Sequence, residues 1–209
     1  MGAVPVGMFE HYFAPGKTGL TVLLLHGSGG DEHDLVPVGR SLAPGASLLS
    51  PRGKVSEHGV LRFFSRPGPN GFFDQAEIRE RAEELAAWVR EAAEQYGLDA
   101  DRIHALGYSN GANMAGALML TTPGLLAGAC LLRARAVLKP AEATGLMGKP
   151  VLIAAGQSDE LIPVEGAREL AEILRDGGAN VDLVIQNAGH ELTPADFHLG
   201  KQWFARLLP

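Results

Sequence analysis

Cysteine is nearly absent from this sequence. Cys130 is the sole one, which excludes an internal disulfide and fits a reducing compartment. It lies in the apolar run 125–132, where a core thiol is expected rather than a nucleophile. Positive charge is in deficit: 18 lysines and arginines against 24 acidic residues leave a net charge of −6. That balance offers no electrostatic footprint for nucleic acid or an anionic membrane. No apolar run reaches membrane-spanning length. No basic segment leading into an apolar one marks a secretory signal at the N-terminus. The expectation is a cytoplasmic protein with neither a nucleic-acid partner nor membrane insertion. Internal repeats, low-complexity tracts and interdomain linkers are also missing, so the 209 residues are expected to form one domain, 1–209.

Apolar residue types make up 46% of the chain and charged ones 20%, enough for a sizeable core. The run Leu20-Thr21-Val22-Leu23-Leu24-Leu25 is apolar without alternation, the pattern of a strand covered on both faces. Further strands are expected at 8–13, 46–50, 103–108, 127–132, 151–155 and 181–185. Helices are expected at 34–42, from the N-cap Asp74 to a C-terminal stop at Gly97, through 112–120, over 163–175 with Gly177-Gly178 beyond it, and at 194–207. In the helix after Asp74, Ile78, Ala82, Leu85, Val89, Ala92 and Tyr96 form one apolar stripe, with the charged residues off it. Strands alternating with helices define an α/β fold with a mainly parallel central sheet flanked by helices. Residues 51–74 show no clean periodicity. A connection of that length inside a compact domain is usually functional, and Phe63, Phe64, Phe72 and Phe73 argue for an ordered one.

The chemistry centres on Gly107-Tyr108-Ser109-Asn110-Gly111. It stands between a strand and a helix, the context in which G-x-S-x-G forms a sharp turn that projects the serine from the sheet edge. Ligands of open α/β sheets collect at the carboxyl ends of the strands, and two further candidates follow strands there. Asp159 closes Gly156-Gln157-Ser158-Asp159, with Glu160 beside it as a rival. His190 closes Asn187-Ala188-Gly189-His190. A serine hydroxyl is a poor nucleophile until a base takes its proton, so His190 is expected as general base and acid, with Asp159 orienting it. His26 and His104, in or against strands, read as structural. The backbone N–H groups of Asn110 and of Ser28, in His26-Gly27-Ser28-Gly29-Gly30, are the expected oxyanion donors, with Gly29 as fallback for Ser28. That glycine run lacks the Lys-Ser/Thr of a phosphate loop and the spacing of a dinucleotide site.

With these motifs in this order, the sequence resembles the phospholipase/carboxylesterase branch of the α/β-hydrolases, which includes acyl-protein thioesterases and small bacterial carboxylesterases. Pro51-Arg52-Gly53, Arg62-Phe63-Phe64 and Phe73-Asp74 are similar to a bacterial subgroup linked to hydroquinone resistance. The resemblance covers nearly the whole chain. It implies an α/β-hydrolase fold without a large lid domain and a Ser109-His190-Asp159 hydrolase without metal or cofactor. Short or small aromatic esters are the implied substrates, with thioesters or lysophospholipids as alternatives, and a homodimer is compatible with it. Thioesterase members carry Gln at the position of Asn110, a departure that bears on substrate preference. A fold-retaining binding protein is the rival from another class, and such proteins usually lose a triad member. Dienelactone-type hydrolases need a cysteine at the elbow, and dehalogenases and epoxide hydrolases an aspartate. Phe63, Phe64, Phe72, Phe73, Leu161 and Ile162 are candidates for the substrate pocket. Arg62, with Arg52 and Arg66, is a candidate contact for an acidic substrate group.

Overall fold

The computed structural model describes residues 9–140 and 144–207. Seven strands form one sheet in the order β1-β3-β2-β6-β7-β8-β9. They are β1 (His11–Ala14), β2 (Thr21–Leu25), β3 (Ser47–Pro51), β6 (Ile103–Tyr108), β7 (Gly128–Leu132), β8 (Pro150–Gly156) and β9 (Asn180–Gln186). Edge strand β1 runs antiparallel to β3, and the other pairs are parallel. Among the described residues five α-helices flank the sheet: α1 (Val36–Leu42), α2 (Gln75–Tyr96), α3 (Asn110–Thr121) and α4 (Val164–Asp176) lie between strands, and α5 (Pro194–Ala205) follows the last one.

The central strands are apolar throughout because both faces are covered. Leu23, Leu25, Ala105, Leu131 and Ile153 pack in one core with residues of α2, α3 and α4. Their neighbours Val22, Leu24, Leu106, Leu132 and Ala154 share the opposite core with residues of α1 and α5. Among the described residues every α-helix packs against a sheet face, and none forms a separate lid. Cys130 is fully buried in the second core, and burial pushes its thiol well above the ordinary range. It is a packing residue.

Element boundaries shift by a few residues from the sequence expectation. The first strand covers His11–Ala14, and Met8, its expected start, lies outside the described residues. Helix α1 begins at Val36 because Pro37 occupies its first turn, where a missing N–H costs nothing. Asp74 caps α2 as expected, accepting from the N–H groups of Ala76 and Glu77. The larger difference is a hairpin inside the 51–74 segment, β4 (Val55–Glu57) and β5 (Val60–Arg62), paired antiparallel. Its strands are three residues long and mostly half-exposed, so neither apolar runs nor clear alternation betray them. Its turn is His58-Gly59, both at positive φ, a tight two-residue connection whose usual first residue is Asn or Asp.

Candidate active site

Strand β6 enters the turn at Ser109, whose φ of 53° and ψ of −116° lie outside the ordinary regions for a non-glycine residue. The Ser109 N–H donates to Leu132 O at 2.9 Å, and its carbonyl accepts from Asn113 N at 2.9 Å, so the strained residue is fixed from both sides. The flanking glycines are required by close approach. A Cβ at Gly111 would lie 2.0 Å from Leu25 O, and one at Gly107 would lie 2.6 Å from Ala112 Cα. Both obstacles are backbone atoms, which cannot rotate away.

The loops after β8 and β9 bring the other two candidates to this turn. His190 Nε2 lies 3.0 Å from Ser109 Oγ. His190 Nδ1 lies 2.8 Å from Asp159 Oδ2. The other oxygen of Asp159 accepts from the N–H groups of Leu161 and Ile162, both at 2.9 Å. The carboxylate is thus fully engaged, and its side chain is 0% exposed, against 19% for His190. Glu160, the rival, points to solvent. Serine, imidazole and carboxylate form one continuous hydrogen-bonded chain, buried at Asp159 and partly open to solvent at His190.

Two residues that the sequence reading passed over hold the His190 loop in place. Arg133 directly follows β7, is 0% exposed and has φ 57°. It donates to Gly189 O and Glu191 O, the carbonyls on either side of His190, each at 2.9 Å. The rest of its guanidinium grips both oxygens of Asp196 at 2.7 and 2.8 Å. Burial opposes ionisation of Asp196, yet the hydrogen bonds from Arg133 and the Thr193 N–H prevail and hold its carboxyl below the ordinary range. Asp196 also completes the capping box of α5 with Thr193. The box is visible as Thr193-x-x-Asp196, whereas its arginine partner is 63 residues away in the chain. Tyr108 adds a donor to His190 O at 3.1 Å.

Ser28 and Asn110, the expected oxyanion donors, line the same cavity as Ser109. Among the described residues no acceptor engages the N–H of Ser28 or Asn110, while the Gly29 N–H, the fallback, is spent on Leu61 O at 2.8 Å. The loop carrying Ser28 is pinned by His26, whose Nδ1 lies 2.7 Å from Gly27 O and whose Nε2 accepts from Gly53 N at 2.9 Å. Burial lowers the affinity of that imidazole for a proton, and His26 is structural. The Asn110 side chain turns away from chemistry: Oδ1 accepts from Phe63 N at 2.8 Å and Nδ2 donates to Phe64 O at 3.4 Å. It ties the elbow to the 51–74 segment.

A cavity of about 490 Å³ opens over Ser109 and His190. Of the pocket candidates, Arg62, Phe73, Leu161 and Ile162 line it. Phe63 and Phe64 do not. They are 3% and 1% exposed in the core against α2, where their backbone is tied to the Asn110 side chain. Phe72 is 74% exposed and also stands outside the cavity. Arg52 is likewise elsewhere, paired with Glu10 and Glu32. Arg62 does face the site, donating to Ser28 Oγ and Phe64 O and lying 3.4 Å from Glu57. Arg66 lines the cavity, as does Arg135, which the sequence reading did not single out. Among the described residues no group of three or more His, Cys, Asp or Glu side chains is placed to hold a metal ion.

A mainly parallel sheet covered on both faces, with a serine elbow at the edge where strand ends gather, is an α/β-hydrolase fold. Residues 15–204 match the phospholipase/carboxylesterase family, and the chain belongs to it. It is 39% identical over 195 residues to MhqD of Bacillus subtilis, covering 93% of this chain and 97% of that one. The crystal structure of a Bacillus cereus carboxylesterase superposes with a TM-score of 0.91 at 38% identity, covering 95% and 94% of the two chains. A Mesorhizobium loti carboxylesterase superposes at 0.84 with 39% identity over 91% and 90%. No helix among the described residues is long and apolar enough to cross a membrane.

Proposed function

We propose that this protein is a cytoplasmic, single-domain serine carboxylesterase of small esters, with Ser109 as nucleophile, His190 as general base and acid, and Asp159 as its orienting partner. The relay from Ser109 Oγ through the His190 ring to Asp159, at 3.0 and 2.8 Å, carries this reading. His190 Nε2 takes the hydroxyl proton as Ser109 Oγ bonds to the ester carbonyl carbon. The negative oxygen of the tetrahedral intermediate lies against the N–H groups of Ser28 and Asn110. Collapse breaks the bond to the alkoxy oxygen, which leaves with the proton from His190. Water, deprotonated by the same nitrogen, then attacks the acyl-enzyme and releases the acid. Asp159 keeps the proton of neutral His190 on Nδ1, leaving Nε2 free to act, and balances the imidazolium that follows. Members of the same family are named carboxylesterases, and a cavity of this volume suits short acyl groups or one aromatic ring.

The test is hydrolysis of p-nitrophenyl esters from acetate to decanoate by the wild type and Ser109→Ala. The expected result is activity in the wild type that fades with chain length, reduced about 10⁴- to 10⁶-fold in the variant. Labelling by a fluorophosphonate should mark the wild type alone. Equal rates in the two proteins would overturn the assignment.

A further inference from the structure

The cavity over Ser109 differs in charge from the rest of the molecule. The chain as a whole carries a net charge of −6, yet the cavity lining holds Arg62, Arg66 and Arg135 and no aspartate or glutamate. A cleft of one sign focuses the field on whatever enters it. The three cations are not equally committed. Arg62 is used up by Ser28, Phe64 O and Glu57. Arg66 lies 3.8 Å from Glu57. For Arg135 no carboxylate of the described residues lies within ion-pairing distance, and its Nε is buried without a hydrogen-bond partner. Every other arginine with a buried head near the site has found an acid, as Arg133 has found Asp196.

The base of Arg135 is anchored. Its backbone N–H donates to Asn113 Oδ1 at 2.8 Å, and Asn113 stands one helical turn beyond Ser109. Its guanidinium carbon lies 5.4 Å from the Phe73 ring centroid. Its Cβ lies against Gly166 so closely that a Cβ there would sit 2.8 Å away. A guanidinium stacked on Phe73 and without an ion-pair partner among the described residues, in a cavity that also holds Ser109, is a site for a carboxylate of the ligand.

Resting on the esterase reading, we infer that the substrates are esters carrying a second, ionised carboxylate, which Arg135 binds while Ser109 attacks the ester carbonyl. This makes Arg135 a specificity residue. It takes no part in the bond changes described above.

The experiment compares kcat/KM for matched ester pairs. In one pair the charge is on the acyl side: p-nitrophenyl hydrogen adipate against p-nitrophenyl methyl adipate. In the other it is on the leaving group: 4-acetoxybenzoate against its methyl ester. The expected preference for the anionic member in at least one pair is about tenfold or more. It should shrink as salt is raised from 0.05 to 0.5 M, collapse toward unity in Arg135→Gln, and be partly kept in Arg135→Lys. A ratio near or below one in both pairs with the wild type would overturn the inference while leaving the esterase reading intact. So would a preference that survives Arg135→Gln in a protein with the wild-type unfolding midpoint. If no ester were turned over, the esterase reading would fail instead. The carboxylate site is then read without turnover by titrating Ser109→Ala with adipate and with neutral adipamide, where equal binding overturns it and tighter adipate binding supports it.

Discussion

The two walls of the cavity are built in opposite ways. One is made by the loops after β7, β8 and β9. There Arg133 and Asp196, 0% and 1% exposed, form a buried ion pair that also satisfies the carbonyls flanking His190. The other is the 51–74 segment, where Glu57 serves Arg62 at 3.4 Å and Arg66 at 3.8 Å, with the Arg66 side chain 61% exposed. In the first wall the Arg133–Asp196 pair is closed to water, and the guanidinium is shared between that carboxylate and the carbonyls flanking His190. In the second, the two arginines that line the cavity share one carboxylate at longer range, and Arg66 stands largely in solvent. Reacting groups gain from a wall of the first kind, since a small misplacement of an imidazole costs much rate. A wall that meets varied parts of a ligand can be of the second kind.

That contrast can be broken at several points, in order of effect. Asp159→Asn should lower kcat about 10³- to 10⁴-fold with little change in stability. The amide still accepts from Leu161 and Ile162, but its NH₂ would face His190 Nδ1 and favour the wrong tautomer. Steady-state kinetics beside urea unfolding reads both quantities, and a loss of stability matching the loss of rate would show the residue to be merely structural. Arg133→Met leaves Asp196 buried and unpaired, and should cost about 3–5 kcal/mol in urea unfolding. Adding Asp196→Leu should return part of it, since replacing both partners by apolar groups spares the uncompensated charge.

A smaller effect is expected from pH. Burial lowers the pKa of both His26 and His104. Above the unfolded value of about 6.5 both states are neutral there; below it the unfolded chain takes up protons that the folded one resists. Stability should therefore fall as pH drops below 6.5, by at most about 1.4 kcal/mol per pH unit for each histidine. His104→Phe keeps the ring against Trp203 and should make the slope shallower. An unchanged slope between pH 6.5 and 5 would show that His104 protonates freely in the fold. The smallest change belongs to the wall formed by the 51–74 segment. Glu57→Gln should alter stability by less than about 1 kcal/mol. By freeing Arg62 and Arg66 it should also raise the preference for anionic over neutral esters about two- to fivefold. A large destabilisation would mean that the two walls are less different than their exposures indicate.

Legibility followed the same divide. Ser109, Asp159 and His190 could be named because each directly follows an apolar strand, and parallel strands bring their carboxyl ends to one edge. Glycines at 107 and 111 stand where backbone meets backbone, so local sequence carries the three-dimensional constraint. The hairpin β4–β5 escaped notice because half-exposed three-residue strands leave no period to read. Phe63, Phe64 and Phe73 look equivalent as letters. Their separation into core and cavity goes with hydrogen bonds that Phe63 and Phe64 make to the Asn110 side chain, 47 residues from Phe63 in the chain. Arg133 and Arg135 lie two residues apart in an irregular stretch, and no pattern there assigns one to Asp196 and the other to the cavity.

By itself, then, the sequence determined the α/β layering and the serine elbow, together with the order in which Ser109, Asp159 and His190 follow their strands. Those features rest on interactions between neighbours in the chain and on burial that repeats with the period of a strand or a helix. The tertiary structure alone decided which aromatics line the cavity, which arginines are paired with an acid and which has none within reach among the described residues. The physical reason is that charge pairing and cavity lining depend on distances between segments remote in the chain, and such distances exist only once the sheet has brought them together.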